Sequence, residues 1–136
     1  MTSELSHNSS KYLIDTDVMI NHLNVGSKIL NSLVVNNEFI SISVITEYEL
    51  YRGVFTENEI LELKSGLKFF NKFAVDSDVC FKASEYAKNE NLRKALGLAD
   101  MLIASTCFVN KLILVTENKK HFKMIPDITI YNSSKD

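Results

Sequence analysis

Apolar positions along the 136-residue chain fall into short runs that switch between two periods. Lys11-Tyr-Leu-Ile14 is an apolar run ending in Asp15 and reads as a buried strand. Val18 to Leu23 is apolar at most positions and stops at Asn24-Val-Gly26, as a helix closed by glycine does. Ser27 to Val35 carries Ile29, Leu30, Leu33 and Val34 at helical spacing. Phe39 to Ile45 alternates and is β-branched, the strongest strand signal present. Thr46-Glu-Tyr-Glu49 then opens a helix that Gly53 ends, and Thr56-Glu-Asn-Glu59 has the capping-box pattern ahead of Ile60, Leu61, Leu63, Leu67 and Phe70. Phe73 to Val75 is a short strand. Asp76 or Ser77 caps a helix carrying Val79, Cys80, Ala83 and Ala87. Leu98 to Val109 is a further helix, Leu112 to Val115 a strand, and Ile128 to Tyr131 a last, edge strand. Strands alternate with helices throughout, which predicts an α/β fold with a mostly parallel sheet covered on both faces. Residues 11–131 read as one domain, residues 1–10 as a flexible arm and residues 132–136 as a short polar tail.

Composition narrows the function classes. Apolar residues make up 46% of the chain, enough for a core. No stretch is long and apolar enough to span a bilayer, and the first ten residues lack the apolar segment of a signal peptide. Cys80 and Cys107 match no zinc spacing and read as buried, reduced thiols of a cytoplasmic protein. The formal charge of −2 lacks the basic footprint of a nucleic-acid binder, so any such role needs locally concentrated positive charge.

Four polar positions carry the chemistry. In open α/β sheets, ligands bind beyond the carboxyl ends of the strands. Asp15 ends the first strand, Glu49 lies in the first turn after the second, Asp100 opens the penultimate helix, and Asn118 follows the strand ending at Val115. Asp17, Thr16 and Thr116 flank them as near-site residues. Ionised carboxylates brought together repel, so they take up protons or hold a cation. Oxygen ligands without His or Cys suit Mg²⁺ or Mn²⁺, which lowers the pKa of a bound water and holds a phosphodiester for attack. Each residue also has a plain structural role open to it. Asp15 fits a helix cap, Glu49 a capping-box partner of Thr46, Asp100 an answer to a helix dipole and Asn118 a turn.

These residues resemble the motifs of the PIN-domain family, and within it the VapC-like toxins of type II toxin–antitoxin pairs. Tyr12 to Ile20 resembles the first motif, led by Asp15. Ser43 to Gly53 resembles the second, in which the acid before Leu50 singles out Glu49 over Glu47. Ala99 to Ser105 resembles the third and places Asp100, and Leu114 to Phe122 resembles the last and places Asn118. The resemblance runs from Tyr12 to about Tyr131. It implies a three-layer α/β/α sandwich and an endoribonuclease with Asp15, Glu49, Asp100 and Asn118 as catalytic residues. It also implies a Mg²⁺ or Mn²⁺ cofactor held by Asp15, Asp100 and Glu49, a cognate antitoxin and a homodimer.

Two other readings compete. Asp15-Thr-Asp17 resembles the opening of haloacid-dehalogenase-type phosphatases, with Asp15 as nucleophile; a catalytically inactive PIN-like binding module is the other. For RNA, the expected cationic rim is Arg52, Arg93, Lys94, Lys119, Lys120 and Lys123. For the antitoxin, the aromatic and apolar set Tyr48, Tyr51, Val54, Phe55, Phe69, Phe70 and Phe73 suggests a groove formed by the helices after the second strand.

Overall fold

The computed structural model describes residues 10–132, so the expected arm and tail lie outside the described residues but for Ser10 and Asn132. The chain runs β1 (Lys11–Ile14), α1 (Thr16–Asn24), α2 (Lys28–Val35), β2 (Phe39–Ser43), α3 (Val44–Arg52) and α4 (Glu57–Leu67). It continues with β3 (Asn71–Phe73), α5 (Ser77–Ala87), α6 (Glu90–Ala95), α7 (Leu98–Asn110), β4 (Ile113–Val115), α8 (Lys119–Phe122) and β5 (Thr129–Ile130). The five strands form one parallel sheet in the order β3-β2-β1-β4-β5.

Successive residues of a strand point to opposite faces, and β1 sorts the core accordingly. Leu13 packs with Leu114, Tyr86 of α5, Ile103, Ala104 and Cys107 of α7 and Phe122 of α8. Ile14 packs with Val115, Val18 and Met19 of α1, Leu30 and Leu33 of α2, Leu50 of α3 and Leu63 and Leu67 of α4. The fold is therefore a three-layer α/β/α sandwich, with α1–α4 on one face and α5–α8 on the other. Each fully buried leucine contributes roughly 1.5–3 kcal/mol of transfer free energy. Local signals agree with this packing. Ser27 caps α2, Asp76 caps α5, and Thr56 and Glu59 close a capping box on α4. Gly26 closes α1 at φ +89°, where a side chain is disfavoured, and its N–H donates to the Asn21 and His22 carbonyls.

The structure corrects several expectations. β2 stops at Ser43 instead of Ile45, because the Ser43 hydroxyl accepts from the Ile45 N–H and starts α3 at Val44. Glu49 thus sits in the second turn of α3, and Thr46 is not its cap. β3 lies two residues earlier than expected, pairing Ser41 to Ser43 with Asn71 to Phe73. Cys80 is exposed, because α5 turns Val79 and Tyr86 inward and leaves Cys80 on its outer flank; Cys107 is buried, and both are free thiols. Helices α6 and α8, of six and four residues, arise where no periodicity announced them. Among the described residues, no helix is long and apolar enough to cross a membrane.

Candidate active site

The strand order reverses at β1, whose neighbours β2 and β4 lead to opposite edges of the sheet. Ligand-binding crevices of open parallel sheets form at such points, beyond the carboxyl ends of the strands. Asp15 and Thr116 are the residues that leave β1 and β4 there, and the Asp15 N–H donates to the Val115 carbonyl at 2.9 Å. Asp15 is 4% exposed and caps α1, its Oδ1 accepting from the Thr16 N–H at 2.8 Å. Its Oδ2 accepts from the buried Thr116 hydroxyl at 2.7 Å. That hydroxyl also accepts from the Asn118 N–H at 3.0 Å, and Asn118 Oδ1 lies 2.8 Å from His121 Nδ1. One continuous chain of hydrogen bonds thus links Asp15 to Asn118 and His121. Capping and membership of this network are both true of Asp15.

The second acid enters from α3. Thr16 Oγ1 donates to Glu49 Oε1 at 2.7 Å and lies 2.9 Å from Thr46 Oγ1. Asp100 enters from the first turn of α7, half-buried, on the helix whose inner face carries the buried Ala104 and Cys107. Burial pushes the Asp15 carboxyl up to about 7, reinforced by Asp17 and Asp100 and opposed by its bonds from Thr116 and Thr16. Asp17 is raised by burial and by Glu117 and Asp100, against the pull of the Val18 and Glu117 N–H groups. Asp100 is raised by burial and by Glu49, with His121 acting the other way. The acids at the strand ends therefore feel one another electrostatically.

Among the described residues, no three His, Cys, Asp or Glu side chains close around a single ion position. The donor chemistry does fit a hard divalent cation. A carboxylate has about four lone-pair sites, of which Asp15 and Glu49 use two and one in the bonds above. Asp17 Oδ1 is buried with no hydrogen-bond partner among the described residues. Buried carboxylate oxygens with unused acceptor capacity and raised pKa values are suited to a cation of this type.

Not every candidate converges. Arg93 donates to the Ala87 carbonyl at 2.6 Å and Lys94 pairs with Glu90 at 2.9 Å, so both serve the α5–α6 corner. Arg52 lies over the Tyr48 ring at 5.9 Å. Glu47 pairs with Lys72 of β3. Lys119 and Lys120 open α8 after Asn118 and Lys123 caps its C-terminal end, with Lys119 Nζ 3.4 Å from Asn132 Oδ1. Two residues at the site, Thr46 and His121, were not singled out by sequence. Each stands three positions from a recognised residue, Glu49 or Asn118, and that helical spacing was the available signal.

A groove of about 380 Å³ opens beside the acids between α1, α3 and α4. Ile20, Leu23, Leu50, Val54 and Leu63 line it, Glu49 stands at its border, and Glu59 and Glu62 add negative charge. Of the expected aromatic set, Phe70 is buried, Tyr51 and Phe73 are half-buried, and Tyr48, Phe55 and Phe69 are exposed. The contribution of α1 to this groove was not expected.

The model of the PIN domain family matches residues 12–127. Ribonuclease VapC19 of Mycobacterium tuberculosis is 30% identical over 120 residues, covering 85% of this chain and 95% of that protein. Ribonuclease VapC2 of Rickettsia felis is 31% identical over 132 residues, covering 91% and 98%. The fold is similar to that of a chain in the crystal structure of VapBC2 from Rickettsia felis bound to a DNA fragment from their promoter. The TM-score is 0.75 at 26% identity, covering 90% of this chain and 98% of that one.

Proposed function

The chain belongs to the PIN domain family, and from that premise we propose that it is a metal-dependent endoribonuclease, the toxin of a toxin–antitoxin pair. Residues 11–131 form the nuclease domain, and its free thiols suit the cytoplasm. The observation that carries this reading is the hydrogen-bonded set Asp15, Thr16, Glu49, Thr116 and Asn118, gathered at the point where the strand order reverses. The phosphatase alternative fails on the family match, which runs over residues 12–127.

Asp15, Glu49 and Asp100 would hold Mg²⁺ or Mn²⁺, and Asp17 would act from beside them. When bound, that ion supplies a water of lowered pKa and positive charge for the phosphate. The chain's own residues do the rest. Thr116 and the Thr16 N–H fix the Asp15 carboxylate, and Thr16 Oγ1 fixes Glu49. The Thr116–Asn118 bond holds the start of α8, and Lys119, Lys120 and Lys123, which follow Asn118, would offset repulsion of the RNA backbone. Asn118 in place of an acid lowers the negative charge of the site.

The partner reading assigns the apolar groove to an antitoxin segment with basic residues that answer Glu59 and Glu62. A second copy of the chain completes the homodimer expected of the family. The test of function is cleavage of RNA by purified protein. Cleavage that requires Mg²⁺ or Mn²⁺ and stops with chelator supports the proposal. A metal-loaded, folded protein with no RNA-cleaving activity would favour the inactive binding module.

A further inference from the structure

Thr46 is completely buried on α3, and the only hydrogen-bond partner of its hydroxyl among the described residues is the Thr16 hydroxyl. A threonine hydroxyl has a single proton and two acceptor lone pairs. Thr16 Oγ1 donates to Glu49 Oε1 at 2.7 Å, which uses the one Thr16 hydroxyl proton. The 2.9 Å contact between the two hydroxyls must then use the proton of Thr46. Both hydroxyl orientations follow from this count alone: Thr46 donates to Thr16, and Thr16 donates to Glu49.

We infer that Thr46 and Thr16 form a directed hydroxyl relay that positions the Glu49 carboxylate, Thr46 being a positioning residue that the motif reading does not assign. The inference rests on Glu49 being a working acid of the proposed nuclease. A glutamate on the second turn of a helix has several rotamers, and Glu49 borders both the acid site and the groove. An unanchored carboxylate there is drawn to groove water. Thr16 ties it to the site side, and Thr46 commits the Thr16 hydroxyl to that direction. The same Thr16 supplies its N–H to Asp15, so one residue orients two acids from two different elements. Bonds of this kind behind a working acid typically govern metal affinity or activity by about 10–100-fold.

The test compares Mn²⁺ affinity by calorimetry, and metal-free Tm, across Thr46→Val, Thr46→Ser, Thr16→Val, Thr16→Ser and Glu49→Gln. The relay predicts that both valine variants weaken Mn²⁺ binding roughly 10-fold or more. Both serine variants recover most of the loss, and Thr46→Val keeps or raises Tm because a buried apolar replacement has the same shape. If Thr46→Val fails to fold, Thr16→Val with its serine control carries the same comparison. Wild-type Mn²⁺ affinity in the valine variants, with loss in Glu49→Gln, overturns the relay and leaves the role of Glu49 standing. Wild-type affinity in Glu49→Gln removes that role and the relay with it. A fall in Tm alone, or a loss that serine does not recover, makes Thr46 a packing tether and overturns the inference.

Discussion

Asp15 joins three demands on one side chain: it caps α1, it is buried, and it neighbours other acids. Its two hydrogen bonds favour its charge and the burial opposes it. Burial wins, and the folded carboxyl titrates near 7 against about 3.9 when unfolded. Between those values the folded state holds the proton that the unfolded state has released. The group's contribution to stability is therefore full below about pH 4 and is lost as pH rises through about 7. Asp17 and Asp100, shifted the same way, add to the loss. Metal-free protein should lose Tm on going from pH 5 to pH 8, on the order of 5–10 °C. Asp15→Asn should flatten that profile, since its amide can keep the Thr16 bond and donate to Thr116. A Tm that rises over this range in the metal-free wild type would contradict the assignment.

At the level of elements, the packing on the face opposite α1–α4 depends on a clasp remote from the acids. Lys82 of α5 pairs with Asp127 at 3.1 Å and lies 3.8 Å from the centre of the Phe108 ring. Tyr86 donates to Asp127 at 2.6 Å. These bonds hold Asp127 below the usual carboxylate range and join α5 to the chain entering β5. Asp127→Asn should cost about 1–2 kcal/mol, less than a fully buried charge-assisted bond because the Asp127 side chain is 39% exposed. Its pKa is depressed, so the wild-type advantage is present above about pH 4 and lost as pH falls below that. Denaturant melts at pH 7 and pH 3 check both signs. The order of strands and long helices was legible because their periods span enough residues. The end of β2 was not, because β-branched Val44 and Ile45 continue the strand pattern while the Ser43 hydroxyl, two residues earlier, has already capped a helix. The one-turn α8 is too short to show a period. Asp15 is readable because it directly follows a strand, whereas Glu49 and Asp100 lie inside helices and were marked only by the motifs they resemble. Thr46 and His121 were not legible, because hydroxyl and imidazole acquire their roles only from neighbours met in the folded chain.

For the whole molecule, 17 acidic and 15 basic residues leave a net charge of −2, so RNA must be met by local charge. Arg93 and Lys94 serve the α5–α6 corner, and the cationic segment that follows Asn118 directly is Lys119 to Lys123. Neutralising Lys119, Lys120 and Lys123 together should weaken RNA binding and reduce the log–log salt slope by about one unit for each phosphate that is no longer neutralised. An unchanged slope would place the RNA on another side. The central claim is that the acids at the reversal of strand order hydrolyse RNA. The most direct measurement is the Mg²⁺-dependent cleavage rate of Asp100→Asn beside the wild type, with Tm recorded for both. The account predicts a fall of roughly 100-fold or more with Tm unchanged or higher, since a repelling charge is removed from a site that needs it only for catalysis. Cleavage at the wild-type rate by folded Asp100→Asn would contradict it.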